Sequence, residues 1–215
     1  MRFLRTDRSL TALLLMLVLV TLVLPPLSSG NARHTLAGDL FFTLLLGSGM
    51  AAVWSEGRIV SRLVAAITIA SMGTHWLTRL VPGVEFAGWN YAADLIVLAA
   101  FAAVVLAKVI SPGSITHHRI EGAIAVYLLF GLAWSIAYEW VELTHPGAFT
   151  GAGKSTSQWI YYSFITLTTM GYGDITPVHP VARSLAAAEA LTGQLYIAVM
   201  ISRLVALELA ARQKH

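Results

Sequence analysis

The chain has 215 residues, 57% of them hydrophobic and 12% charged, with a mean hydropathy of +0.72. Soluble domains carry about twice that share of charge, so most of this chain sits in lipid. The formal net charge of +3 calls for no nucleic-acid partner, because basic residues of membrane proteins gather in cytoplasmic loops. The absence of cysteine excludes a disulfide framework and leaves the redox compartment unread.

Arg2, Arg5 and Arg8 precede an apolar run over 10–24 that Pro25 and Pro26 close. A retained first span is predicted. A cleaved signal peptide shares its charged start and run length, although 27–32 is a mediocre cleavage site. The second span is predicted over 35–54, with Asp39 near its outer end and a small-residue patch at Gly47, Ser48 and Gly49 that suits close helix packing. A polar turn at 55–58 leads to a third span over 59–80, which Pro82 and Gly83 end. The fourth span covers 89–110 and stops before Pro112 and Gly113; the fifth covers 120–141, after His117, His118 and Arg119.

Residues 142–154 are polar and broken by Gly and Pro, and read as an exposed loop. Ser155, Thr156, Ser157 and Gln158 fit a capping box, so a helix is expected to start there. It reaches only to about residue 168, on the order of 18–20 Å at 1.5 Å per residue. A bilayer core needs about 30 Å, so this helix enters and does not cross. The non-helical stretch that follows is tolerated at membrane depth only when it is buried in protein or lines water. The last span is predicted over 181–207, followed by a short tail at 209–215, so no attached regulatory domain is expected. With the N-terminus inside, ten of the fourteen basic residues fall on the cytoplasmic side, leaving Arg33, Arg79, Lys154 and Arg183 outside. That bias fits six spans with both ends cytoplasmic.

Thr168, Thr169, Met170, Gly171, Tyr172, Gly173 and Asp174 form the most informative stretch. Glycine reaches backbone conformations that residues with a Cβ avoid. Alternating such positions with ordinary ones turns successive carbonyls to one side of an extended segment. Stacked carbonyls of this kind replace the hydration shell of an alkali cation. The Thr169 hydroxyl adds one more oxygen, and the Tyr172 ring is expected to point away from the ions and brace the segment. Gly-Tyr-Gly alone is a common turn tripeptide. Its setting, between a short helix and a long apolar one, is what sharpens it.

Residues 120–207 resemble the pore module of tetrameric potassium channels, whose signature is T-x-G-Y-G-D. The resemblance implies an all-α membrane protein of the prokaryotic six-span type, with a re-entrant pore helix and selectivity filter between the fifth and sixth transmembrane helices. It implies a homotetrameric pore, with 1–113 as a four-helix N-terminal region and 114–208 as the pore domain. Potassium, the permeant ion, would be held by the Thr169 hydroxyl and the carbonyls of Thr169, Met170, Gly171 and Tyr172, with Gly173 completing the filter. Thr168, Asp174, Trp159, Tyr161 and Tyr162 would support it, the aromatics as a cuff or as interfacial anchors. Gly193 is the candidate gating hinge, or a site of close helix packing. Glu189 and Gln194 are candidate cavity residues, Glu189 alternatively pairing with a neighbouring helix. No cofactor is implied. Partners would be sister subunits, membrane lipids and an unidentified regulatory partner, in the plasma membrane (a bacterial inner membrane).

The chain departs from the family in three places. Met170 stands where valine is commoner, and Ile165 where some relatives have a glutamate, so no carboxyl pair with Asp174 is available. The fourth span has Asp94 and Lys108 but no arginine, so voltage sensing by a charged helix is not expected. His75 and Asp94 are polar groups at membrane depth, read as interhelical hydrogen bonding or a proton-coupled pair. His117 and His118 suggest headgroup contact or, less simply, a metal site, and His179 suggests sensitivity to external pH. Residues 151–156 look like the tail of a phosphate loop, but Ala148 occupies the required glycine position and no strand precedes them. No Ser/His/Asp or H-E-x-x-H constellation occurs, so no enzyme is expected. Three other readings stay open: a weakly selective cation channel, a membrane subunit of a potassium uptake transporter, and a non-conducting sensor or scaffold with a vestigial pore.

Overall fold

The computed structural model describes residues 2–27, 36–53, 58–81, 87–111, 116–153 and 155–212. Helix α1 (Arg2–Val18) continues through a π-helical turn (Leu19–Val23) into the short α2 (Leu24–Leu27). Proline has no N–H, so Pro25 and Pro26 leave the carbonyls of Thr21 and Leu22 without i+4 donors, and the helix widens just before them. The remaining helices are α3 (Leu36–Val53), α4 (Arg58–Leu80), α5 (Ala87–Ile110), α6 (His117–Thr144), α7 (Thr156–Leu167) and α8 (Pro180–Arg212).

Three stretches are long and apolar enough to cross a bilayer: Gly88–Ile110, His117–Thr144 and Pro180–Leu209. Ser9–Val23 and Gly38–Val53 are apolar but shorter. Helix α4 has 23 residues, yet it begins at Arg58 and carries Arg62, Thr74 and His75. By length and composition, then, half of the six predicted spans qualify among the described residues.

One hydrophobic core joins the N-terminal helices to α6. Leu13 and Leu17 of α1, Leu45 of α3, Val97 and Phe101 of α5, and Val126 and Leu129 of α6 are all fully buried in it. Helix α5 lies along α6, and α1 touches both α3 and α6. His75 and Asp94 each make an interhelical hydrogen bond, as one of the two expected readings has it, but to different partners. His75 Nε2 lies 2.8 Å from Asp39 Oδ1 on α3, while Asp94 accepts a bond from the Ser71 hydroxyl at 2.5 Å. At the start of α6, His117 and His118 turn to Glu121, at 3.2 and 3.1 Å, and Thr11 of α1 donates to the same carboxylate at 2.7 Å.

A small sheet adds to the helical plan. Strands β1 (Phe149–Thr150) and β2 (Thr176–Pro177) pair antiparallel, Phe149 opposite Pro177. The loop predicted to be exposed therefore tucks inward at Ala148 and Phe149, both buried. Phe149 meets the rings of Tyr138, Trp159 and Tyr162 edge-on, with centroids 5.0–5.6 Å apart. Burying one large aromatic outweighs solvating a two-residue strand.

Candidate functional site

Helix α7 begins at Thr156, as the sequence suggests, but not by the predicted capping box. The Ser155 side chain makes no capping bond to the backbone. Its Oγ lies 2.7 Å from Ser157 Oγ, and the Gln158 side-chain oxygen accepts from the Gly153 amide in the preceding loop. Thr156 instead donates to Glu139 Oε1 on α6 at 3.3 Å. The helix has 12 residues, about 18 Å at 1.5 Å each, too short to cross a bilayer.

Beyond α7 the backbone alternates in hand. Thr169, Gly171 and Gly173 have φ of 58°, 51° and 78°, and the residues between them do not share that sign. Every amide from 168 to 171 points back at the helix. Thr168 N–H donates to Phe164 O at 3.1 Å and Thr169 N–H to Thr166 O at 2.9 Å. The amides of Met170 and Gly171 both donate to Ile165 O, at 2.8 and 3.1 Å. In a trans peptide unit the C=O points opposite to the N–H, and no cis bond occurs among the described residues. The carbonyls of Thr169 and Met170 therefore face together, away from α7. The negative end of the α7 dipole lies at the foot of this segment.

The outer end is clamped. Tyr161 donates its hydroxyl to Asp174 Oδ2 at 2.7 Å. The Ala148 carbonyl accepts from the amides of Val178 and His179 at 2.8 and 3.2 Å, and Gly151 passes so close to Asp174 O that a Cβ there would come within 2.0 Å of it. Glu142, which the sequence gave no reason to single out, accepts from the amides of Gly147 and Phe149 at 2.8 and 3.2 Å. The His179 ring lies 4.4 Å from that of His145 at the end of α6, the two planes tilted by 34°.

Of the three aromatics expected around this segment, only Tyr161 bonds to it. Trp159 and Tyr162 are buried on the other side of α7, against Phe149 and Tyr138. The reason is helical geometry: successive residues point about 100° apart, so adjacent aromatics cannot share one face. Met170 and Tyr172 are 57% and 66% exposed, so their own chain braces neither side chain.

Helix α8 closes the site from below. Gln194 donates to Thr169 Oγ1 at 3.1 Å, and that hydroxyl donates to Thr168 O at 2.7 Å. Gly193 lies against the end of α7, where a Cβ would stand 2.0 Å from Leu167 O, and α8 is helical through this position. Glu189 is no cavity residue. It is wholly buried, bonded to Tyr138 of α6 and Ser163 of α7. Tyr127 of α6 also donates to Leu167 O at 3.4 Å. Nothing in the spacing of Tyr127, Tyr138 or Ser163 marks them, since their partners lie 26 to 51 residues away.

Residues 123–208 match an ion-channel family. The chain is similar to the inward rectifier potassium channel Kirbac3.1 of Paramagnetospirillum magnetotacticum, 37% identical over 78 residues, 36% of this chain and 24% of that one. It is also similar to protein LctB of Bacillus caldotenax, 34% identical over 87 residues, 37% of this chain and 64% of that one. The chain thus covers about a quarter of the first relative and less than two thirds of the second. No solved structure matches significantly. Each member of the buried chain Tyr138, Ser163 and Glu189 lies inside the ion-channel segment, as does the whole of 168–174.

Proposed function

We propose that the protein is the subunit of a potassium-selective channel, four copies of which bring their 169–173 segments around one axis. Potassium crosses passively, coordinated by the Thr169 hydroxyl and the carbonyls of Thr169, Met170, Gly171 and Tyr172, with Gly173 and Asp174 finishing the outer end. The observation that carries this reading is the positive φ at 169, 171 and 173, with the amides of Met170 and Gly171 tied to Ile165. Neighbouring carbonyls that face one way, away from their supporting helix, have the form a dehydrated cation requires. One segment cannot surround an ion, and rotational symmetry is the ordinary way to complete a ring. The exposed side chains of Met170 and Tyr172 fit that assembly, because a neighbouring subunit would cover what this chain leaves open. Similarity to a protein named as a potassium channel supports the choice of ion.

The proposed channel lies in the plasma membrane with six crossings and both termini cytoplasmic, as the distribution of basic residues favours. Helices α1 to α5 form its non-voltage-sensing N-terminal region. Purified protein in liposomes is expected to release potassium, but not sodium, down a gradient, with block by barium. Gly171→Ala, which puts a Cβ at a φ of 51°, is expected to abolish the flux. Equal sodium and potassium flux, or full flux in Gly171→Ala, would end this reading.

A further inference from the structure

Glu189 has 0% exposure and sits where three helices meet. Tyr138 of α6 donates to its Oε2, and Ser163 Oγ of α7 lies 2.5 Å from its Oε1. Ser163 Oγ is also 2.7 Å from the carbonyl of Gly131 on α6. A serine hydroxyl has one proton to give, and a carbonyl only accepts. Both contacts of Ser163 are satisfied together when its proton goes to Gly131 and Glu189 brings a proton of its own. Among the described residues, Tyr138 from α6 and Ser163 from α7 bond the carboxyl and Tyr127 and Tyr162 lie near enough to feel its charge, none of them basic. A bare carboxylate with no cation beside it is among the costliest groups a protein can bury.

The contact continues one turn along. Ser163 meets Glu189, and four residues on in each helix the carbonyl of Leu167 meets Gly193. Helix α8 therefore grips α7 at two successive turns, and α7 in turn holds the amides of 168–171.

We propose that Glu189 is a neutral carboxylic-acid latch, a positioning residue that ties α8 to α7 and α6 and transmits movement of α8 to the segment 168–174. Its functional consequence rests on the channel reading above; its protonation does not. Glutamine reproduces the neutral acid, with one donor for Ser163 and one acceptor for Tyr138. Glu189→Gln is therefore expected to keep potassium flux within about twofold of the wild type, whereas Glu189→Leu lowers it by about tenfold or more. Tyr138→Phe removes a single donor and is expected to fall between the two, which serves if Glu189→Leu does not fold.

Infrared difference spectra of wild type against Glu189→Gln supply a readout independent of conduction. A protonated carboxyl C=O band present only in the wild type is expected. Carboxylate bands in its place would overturn the latch. So would loss of flux in Glu189→Gln protein that still assembles like the wild type. If wild-type vesicles pass no potassium, the channel reading fails, and the infrared spectrum still decides the state of Glu189.

Discussion

Thr169 is the one non-glycine residue with positive φ among those described. A left-handed conformation costs an L-residue about 1–2 kcal/mol, and it persists where surrounding bonds over-determine it. Here the amide is held by Thr166 and the hydroxyl by Thr168 and Gln194. The same reasoning at Tyr161 gives a first prediction. Tyr161→Phe removes the bond that pins Asp174, an effect on the order of fivefold. The potassium-over-sodium permeability ratio, from reversal potentials, is expected to fall by that factor while assembly is unchanged. Gly193 gives a second. A methyl group there meets a backbone oxygen, which cannot rotate away, so Gly193→Ala is expected to destabilise the protein by about 1–3 kcal/mol, measured as a lower Tm. If Gly193→Ala leaves the Tm where it was, the close packing of α8 on α7 is wrong.

At the scale of elements, α7 is positioned by what lies behind it. Tyr138, Phe149, Trp159 and Tyr162 form a second buried cluster between α6, β1 and α7. The loop that carries Phe149 is fixed at both ends of β1, by Glu142 before it and by Thr176 across the sheet. Phe149→Ala is therefore expected to cost about 3 kcal/mol, read as a lower Tm and faster proteolysis between residues 144 and 154. An unchanged Tm would mean the loop is not part of the scaffold. The short helix and its start are visible in the sequence from length and polarity. The inward turn of the loop is not, because Gly, Pro and Thr around Phe149 read as solvent-exposed until its three aromatic partners come together.

At the scale of the molecule, one core carries the N-terminal helices and α6 together. A displacement in α1, α3 or α5 therefore reaches α6 through packed side chains, and α6 meets the site through Tyr127 and Tyr138. Topology is the property of the whole that is easiest to test. The chain has no cysteine, so His145→Cys and, separately, Arg212→Cys each introduce a unique thiol. In sealed cells an impermeant maleimide is expected to label the first from outside, and the second only after permeabilisation. Labelling of both from one side would refute the proposed orientation.

By itself the sequence determined the membrane setting and the short helix between two long ones, and it singled out residues 168–174. Those features depend on composition, on length, and on the conformational freedom of glycines two positions apart. All of them are local. Which side chains meet was decided only by the tertiary structure. It moved Glu189 from an expected cavity to a buried junction, gave His75 to Asp39, and turned Trp159 and Tyr162 away from the segment they were expected to surround. A buried polar group must find a partner wherever the chain brings one, and partners tens of residues apart leave no period in a sequence.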